Sequence, residues 1–157
     1  MTARPLIVHI RRHSLEDGPG IRSVVFFKGC PLHCIFCQNP EAQDPGPEIA
    51  FSPEACVMSG ACADACPHDA IDLKLPGRIR RDTCQRCGTC ADVCPGNGLR
   101  RIGTYYPVEK LCRLLLRDRV FYRRSGGGVT LSGGECTLYP EYLQSLLRRL
   151  KQAGIHL

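Results

Sequence analysis

Gly29-Cys30-Pro31-Leu32-His33-Cys34-Ile35-Phe36-Cys37-Gln38-Asn39-Pro40-Glu41 carries three cysteines at x3 then x2 spacing, with no fourth close by. A 4Fe-4S cubane ordinarily takes four cysteine ligands, so three thiolates leave one iron open to a non-protein ligand, and an electron carrier becomes a reaction centre. Part of a zinc site, or a run of buried cysteines, would give the same bare spacing. Immediately upstream, Ser23 to Phe27 is apolar and continuous, as expected of a strand buried on both faces in a parallel sheet. The cysteine loop begins where that strand signal stops.

Outward from this loop, Leu6 to Ile10 is a short β-branched run that predicts another strand, and Asp17-Gly18-Pro19-Gly20 gathers turn formers between the two. The residues alone assign no chemical role to Asp17 or Arg22. After Glu41, Asp44-Pro45-Gly46-Pro47 reads as a linker, and dense cysteine follows. That segment contains an internal repeat: Cys56, Cys62 and Cys66-Pro67 recur as Cys84, Cys90 and Cys94-Pro95, each displaced by 28 positions. The second copy, Cys84-x2-Cys87-x2-Cys90-x3-Cys94-Pro95, is the bacterial ferredoxin run, whose fourth cysteine ligates the other cluster.

A crossed pair is therefore expected, with Cys66, Cys84, Cys87 and Cys90 on one cubane and Cys56, Cys62 and Cys94 on its neighbour. Zinc ribbons do not show this repeated Cys-Pro crossing. Where the repeat demands a cysteine after Cys56 the chain has Ser59, whose hydroxyl is a much poorer iron ligand than a thiolate. The cluster on that side is expected to be labile, three-iron, serine-ligated or absent. Between the copies, Ala70 to Lys74 and Ile79 to Arg81 flank Pro76-Gly77 as a small hairpin.

From Leu99 the pattern is again that of α/β structure. Pro107 opens a helix in which Val108, Leu111, Cys112 and Leu115 form one apolar stripe, so Cys112 reads as core. Gly126 to Gly128 end that helix, and Val129-Thr130-Leu131 is a strand running into Ser132-Gly133-Gly134-Glu135. A further helix starts at Pro140, with Leu143, Leu146, Leu147 and Leu150 as its buried face and Gly154 as its stop. Ile155-His156-Leu157 reads as the opening of a third strand. Strand, loop and helix in repetition predict a parallel α/β barrel, in which functional loops follow the C-terminal ends of strands.

The twelve cysteines would suggest a disulfide scaffold in a secreted protein, but the chain opens on no apolar signal segment. No stretch is long enough to span a membrane, so a cytoplasmic protein with metal-binding cysteines is expected, without a membrane partner. The net charge of +6 is scattered in arginine pairs such as Arg80-Arg81 and Arg148-Arg149, with no basic helix or stacking aromatics to indicate nucleic acid. A positive surface would steer an acidic electron donor.

The three-cysteine run, with aromatic Phe36 just before its last cysteine, resembles the signature of the radical S-adenosylmethionine (SAM) enzymes. Asp17-Gly18-Pro19-Gly20-Ile21-Arg22, Asn39-Pro40-Glu41 and Ser132-Gly133-Gly134-Glu135 make the chain similar to the glycyl-radical-enzyme activating branch, pyruvate formate-lyase activating enzyme-like with a ferredoxin-type insert. The resemblance covers nearly the whole chain, with the motifs in the family's order.

It implies the N-terminal part of a partial (β/α)6 barrel, interrupted by a two-cluster ferredoxin-like α+β domain: residues 1–46 start the barrel, 47–98 form the insert and 99–157 continue the barrel without completing it. Only about two strand-helix units are present by analogy with the eight-unit parent, so the chain is expected to be truncated.

The resemblance further implies a 4Fe-4S cluster with an open iron on Cys30, Cys34 and Cys37, and SAM bound by Phe36, Cys37, Gln38, Gly133, Gly134 and Glu135. Cys136 stands where the family usually has proline. SAM would be cleaved by one electron into methionine and a 5′-deoxyadenosyl radical, which takes hydrogen from a glycine Cα of a partner glycyl radical enzyme in anaerobic metabolism. No catalytic side chain is required, and up to two auxiliary 4Fe-4S clusters would relay electrons from reduced flavodoxin or ferredoxin. A polyferredoxin-type electron-transfer module would explain Cys56 to Cys94 but not the Cys30 and Gly-Gly-Glu loops. A radical SAM enzyme acting on a small molecule is the other reading.

Overall fold

The computed structural model describes residues 4–157. In chain order the elements are β1 (Leu6–Ser14), β2 (Arg22–Phe27), β3 (Glu48–Phe51), α1 (Ala61–Asp64), α2 (Thr89–Asp92), β4 (Leu99–Ile102), β5 (Thr104–Tyr105), α3 (Val108–Leu116), α4 (Arg119–Ser125), β6 (Gly128–Gly133) and α5 (Pro140–Gln152). They form two compact units of a mixed α/β structure: one runs to Gly46 and resumes over Gly103–Leu157, and the other is Pro47–Ile102. Among the described residues no helix is long and apolar enough to cross a membrane.

The first unit is built on a sheet ordered β5-β1-β2-β6. β2 and β6 are parallel, in register from Arg22 opposite Gly128 to Phe27 opposite Gly133, and Gly128 also bridges in parallel to His156. All six residues of β2 are buried, as its central place requires. β1 departs from the all-parallel expectation: it pairs antiparallel with both β2 and β5, and it continues past Ile10 to Ser14. An apolar run encodes burial but not strand direction, and the short turn-rich connection between β1 and β2 permits an antiparallel return and no crossover.

Val25, Phe27 and Val129 pack against Leu111, Cys112 and Leu115 of α3, Tyr122 of α4, and Leu146 and Leu150 of α5. Cys112 is thus a core residue. The helix expected to run from Pro107 to Gly126 is broken at Arg117-Asp118 into α3 and α4. There the buried Asp118 carboxylate accepts hydrogen bonds from Arg12 (Nε at 2.7 Å, and Nη2) and from Ser23 Oγ at 3.0 Å, and Tyr122 OH donates to Ser23 Oγ at 2.7 Å. A buried carboxylate needs such partners, and the helix break delivers it to them. On α5, Leu146 and Leu150 are fully buried while Leu143 and Leu147 are half-exposed, lining a groove with Thr137 and Lys151. The expected four-leucine face is therefore buried along only half its width.

In the second unit β3 and β4 are antiparallel, from Glu48 opposite Ile102 to Phe51 opposite Leu99. Leu99–Ile102 therefore belongs to the cysteine-rich unit, four residues beyond the 98/99 boundary expected from composition, because Leu99 packs with Ile49, Ile71, Ile79 and Cys90 in that unit's core. The hairpin expected between the repeats is reduced to one bridge, Ile71 opposite Ile79. The 28-residue repeat extends to the backbone. α1 and α2 each follow a left-handed glycine, Gly60 (φ 79°) and Gly88 (φ 88°), and the left-handed non-glycine residues Met58 and Asp69 recur as Arg86 and Asn97. Glycine serves at these helix starts because a side chain rarely adopts that conformation.

Candidate functional site

The cysteine loop springs from the end of β2 and is closed at its base. The Gly29 amide donates to Ala42 O at 2.7 Å and the Cys30 amide to Gln43 O at 3.0 Å, so the returning limb lies beside the departing one. Within the loop the Cys37 amide donates to Cys34 O at 3.1 Å. Cys34 is exposed, Cys30 and Cys37 are half-buried, and the side chains of Phe36 and Gln38 are exposed. Every cysteine is a free thiol. Among the described residues no three His, Cys, Asp or Glu side chains meet around a point as a single ion would require. The all-thiol donor set suits an iron-sulfur cluster, whose ligands attach at separate corners.

β6 brings the Gly-Gly-Glu loop to the same end of the sheet. The Gly134 amide donates to Phe27 O and the Glu135 amide to Gly29 O, both at 2.8 Å. A Cβ on Gly134 would lie 2.3 Å from Gly29 O, so only glycine permits this approach. Glu135 turns its carboxylate to Thr137, accepting from the amide at 3.0 Å and the hydroxyl at 2.7 Å. Those two donors, the amide foremost, hold its carboxyl below the usual carboxylate range. The half-buried Cys136 thiol is pushed up, chiefly by burial. The two loops are thus joined at their bases by backbone, not through Phe36 or Gln38.

In the second unit Cys56, Cys62 and Cys94 line one small cavity, about 20 Å³, together with Met58, Ser59 and Arg78. Burial raises the Cys62 thiol, with smaller contributions from the neighbouring Cys94 and Cys56. Cys90 is pushed up to about 11, first by burial and then by Cys66, Cys84 and Cys87. Cys62 thus has Cys56 and Cys94 near it, and Cys90 has Cys66, Cys84 and Cys87.

Residues 16–77 match the 4Fe-4S single cluster domain family and residues 78–100 the 4Fe-4S binding domain family. The chain is 46% identical, over 97% of its length, to the benzylsuccinate synthase activating enzyme of Thauera aromatica, covering 48% of that protein. It is also 46% identical, over 97% of its length, to the trans-4-hydroxy-L-proline dehydratase activating enzyme of Clostridioides difficile, covering 51% of it. With the choline trimethylamine-lyase activating enzyme of Oleidesulfovibrio alaskensis the identity is 40% over 98% of the chain and 51% of the relative. The chain is a relative of the glycyl-radical-enzyme activating enzymes. It spans about half the length of the curated relatives it matches.

Three residues support the loops of this activating-enzyme relative: Lys28 and Tyr139, which no motif singles out, and Arg22, to which the motif alone assigns no role. Lys28 is fully buried, and its ammonium donates to Glu41 O at 2.8 Å and Asp44 O at 2.7 Å, tying down the returning limb of the cysteine loop. Tyr139 OH donates to Lys28 O at 2.6 Å. Arg22, also buried, donates to Thr130 Oγ1 at 2.6 Å and Val129 O at 2.7 Å, while Thr130 Oγ1 donates to Asp17 O at 2.9 Å. Arg22 thereby clamps the Asp-Gly-Pro-Gly turn onto the β2-β6 pair. A lysine at the end of an otherwise buried strand was the one available signal, since a buried ammonium must find acceptors.

Proposed function

We propose that this chain is the cluster-binding part of an activating enzyme that cleaves SAM reductively and generates a glycyl radical on a partner enzyme. The observation that carries the reading is the backbone junction of the cysteine loop with the Gly-Gly-Glu loop at the C-terminal ends of parallel β2 and β6. That is where an α/β barrel carries its site, and β2, β6 and the strand begun at His156 are read as successive strands of a partial barrel. The relatives' names support an activating enzyme over a polyferredoxin or a small-molecule radical enzyme.

Cys30, Cys34 and Cys37 would hold the 4Fe-4S cluster, leaving one iron for SAM. When bound, cluster and SAM supply one-electron cleavage of the sulfonium and hydrogen-atom abstraction from a glycine Cα of the partner. The protein's part is to position and to exclude. Lys28 and Tyr139 fix the cysteine loop, Gly133 and Gly134 let their loop pack against the main chain of Phe27 and Gly29 and so set Glu135 toward the SAM amino group, and Phe36 and Gln38 are exposed to receive the adenosyl end. In the insert, Cys66, Cys84, Cys87 and Cys90 would hold one auxiliary cluster and Cys56, Cys62 and Cys94, with Ser59, the other. Reduced flavodoxin or ferredoxin is the electron donor in this reading, steered by the net charge of +6.

The test is anaerobic reconstitution of the full-length protein followed by reduction with dithionite in the presence of SAM. Methionine and 5′-deoxyadenosine are expected, and Cys34→Ala abolishes both. A protein with an intact cluster that yields no 5′-deoxyadenosine would be an electron carrier instead.

A further inference from the structure

The cavity shared by Cys56, Cys62, Cys94 and Ser59 has a cation on its wall that the cysteine pattern does not call for. Arg78 is half-buried, in a left-handed backbone conformation (φ 61°), and its guanidinium is held from three sides. Nη1 donates to Leu73 O, Nη2 lies 2.7 Å from Met58 Sδ, and the group sits 5.7 Å over the centre of the Phe51 ring. Met58 Sδ is in turn 4.0 Å from Cys56 Sγ. A carbonyl, a thioether and a ring face orient the guanidinium without cancelling its charge. Arg101, packed on Gly88 in the other copy of the repeat, instead donates to the Asp92 carboxylate at 3.0 Å.

We propose that Arg78 is a positioning residue that raises the reduction potential of the cluster on Cys56, Cys62 and Cys94, making that cluster the electron-accepting station of the insert. This rests on the crossed cluster assignment above. Reduction adds one electron from a low-potential one-electron donor and breaks no bond, so the cluster becomes more negative by one unit. A fixed positive charge beside it favours the reduced form.

The test is an EPR-monitored potentiometric titration of the full chain, reconstituted with iron and sulfide and reduced stepwise by dithionite through mediator dyes. Cys62→Ala identifies the signals of this side by their loss. Arg78→Gln should move those signals to more negative potential, a roughly tenfold fall in the reduced-to-oxidised ratio at fixed potential, with iron content unchanged. Arg78→Lys should restore most of the shift, and Arg101→Gln should produce none. Signals unmoved by Arg78→Gln overturn the proposal. If the glutamine variant loses the cluster, the lysine variant decides: retention at the parent potential supports the role of charge, and loss there too makes Arg78 a purely structural residue. A Cys62→Ala protein that loses no signal overturns the cluster assignment itself, a failure distinct from an unmoved midpoint.

Discussion

The amide of Glu135 donates a 2.8 Å hydrogen bond to the carbonyl of Gly29, the residue before the first cysteine of the three-cysteine loop. Both residues stand two positions beyond the last paired strand residues of β2 and β6, Phe27 and Gly133. Because main chain alone makes the bond, the spacing between the two loops depends on backbone approach and not on side-chain identity.

Gly134→Ala tests that dependence directly. The new methyl carbon would meet Gly29 O at 2.3 Å, a backbone atom that cannot swing aside. We expect a loss of roughly 1–3 kcal/mol in stability, the usual cost of overpacking, and a SAM affinity at least tenfold weaker. The cluster absorbance of the insert should be unchanged. Thermal melts and equilibrium SAM binding check both effects, and parent-like binding would show that the junction does not position SAM.

Lys28→Met should loosen the loop from its other side. The substitution keeps an apolar stem of similar length but removes the ammonium that donates to Glu41 O and Asp44 O. Hydrogen bonds from a charged donor are worth roughly 1.5–3 kcal/mol each, and the two carbonyls would be left to find water. The expected result is a lower melting temperature and faster bleaching of the Cys30 cluster by an iron chelator. Bleaching at the parent rate would mean that the loop holds its shape without Lys28.

What the sequence made legible was local. Cysteine spacing, the 28-residue repeat and the glycines of the Gly-Gly-Glu loop are patterns carried by the sequence itself, and the structure gives each of them a loop or a repeated backbone turn. What it hid was long-range. Tyr139 reaches Lys28 and Arg12 reaches Asp118 across more than a hundred residues, and nothing in either neighbourhood announces the partner. The direction of β1 was hidden for a related reason, since antiparallel and parallel pairing bury the same apolar run. Leu99–Ile102 was misassigned because composition changes at the last cysteine, whereas the unit ends where the β3-β4 ladder ends.

The Asp118 network should appear in the pH dependence of stability. The Arg12 hydrogen bond, which outweighs the opposing effect of burial, holds the Asp118 carboxyl below the usual carboxylate range. A group whose folded pKa is depressed contributes stability that is fully present above its unfolded value, about 3.9, and is lost as pH falls through the folded value. Asp118→Asn should therefore destabilise the protein at pH 7 and flatten the acid limb of its stability curve below about pH 5. Denaturant melts of parent and variant at pH 7, 5 and 3 decide this, and parallel curves would mean that Asp118 does not titrate with unfolding.

Ser59 occupies the position that the repeat gives to Cys87, and it lines the same cavity as Cys56, Cys62 and Cys94. Exchange of thiolate for hydroxyl weakens that corner and exposes its iron to loss or oxidation, while the set Cys66, Cys84, Cys87 and Cys90 is complete. Ser59→Cys should raise bound iron by about one atom per chain, the fourth iron of a cubane, and remove any three-iron EPR signal. Cys66→Ala should instead damage the cluster that includes Cys90. Identical iron content and spectra for the parent and Ser59→Cys proteins would mean that the serine already ligates a complete cluster or that the site is empty in both. Should Cys66→Ala disturb only the Ser59 side, the crossing of the two repeats would have to be given up, because the neighbours of Cys62 and Cys90 would then have to be exchanged.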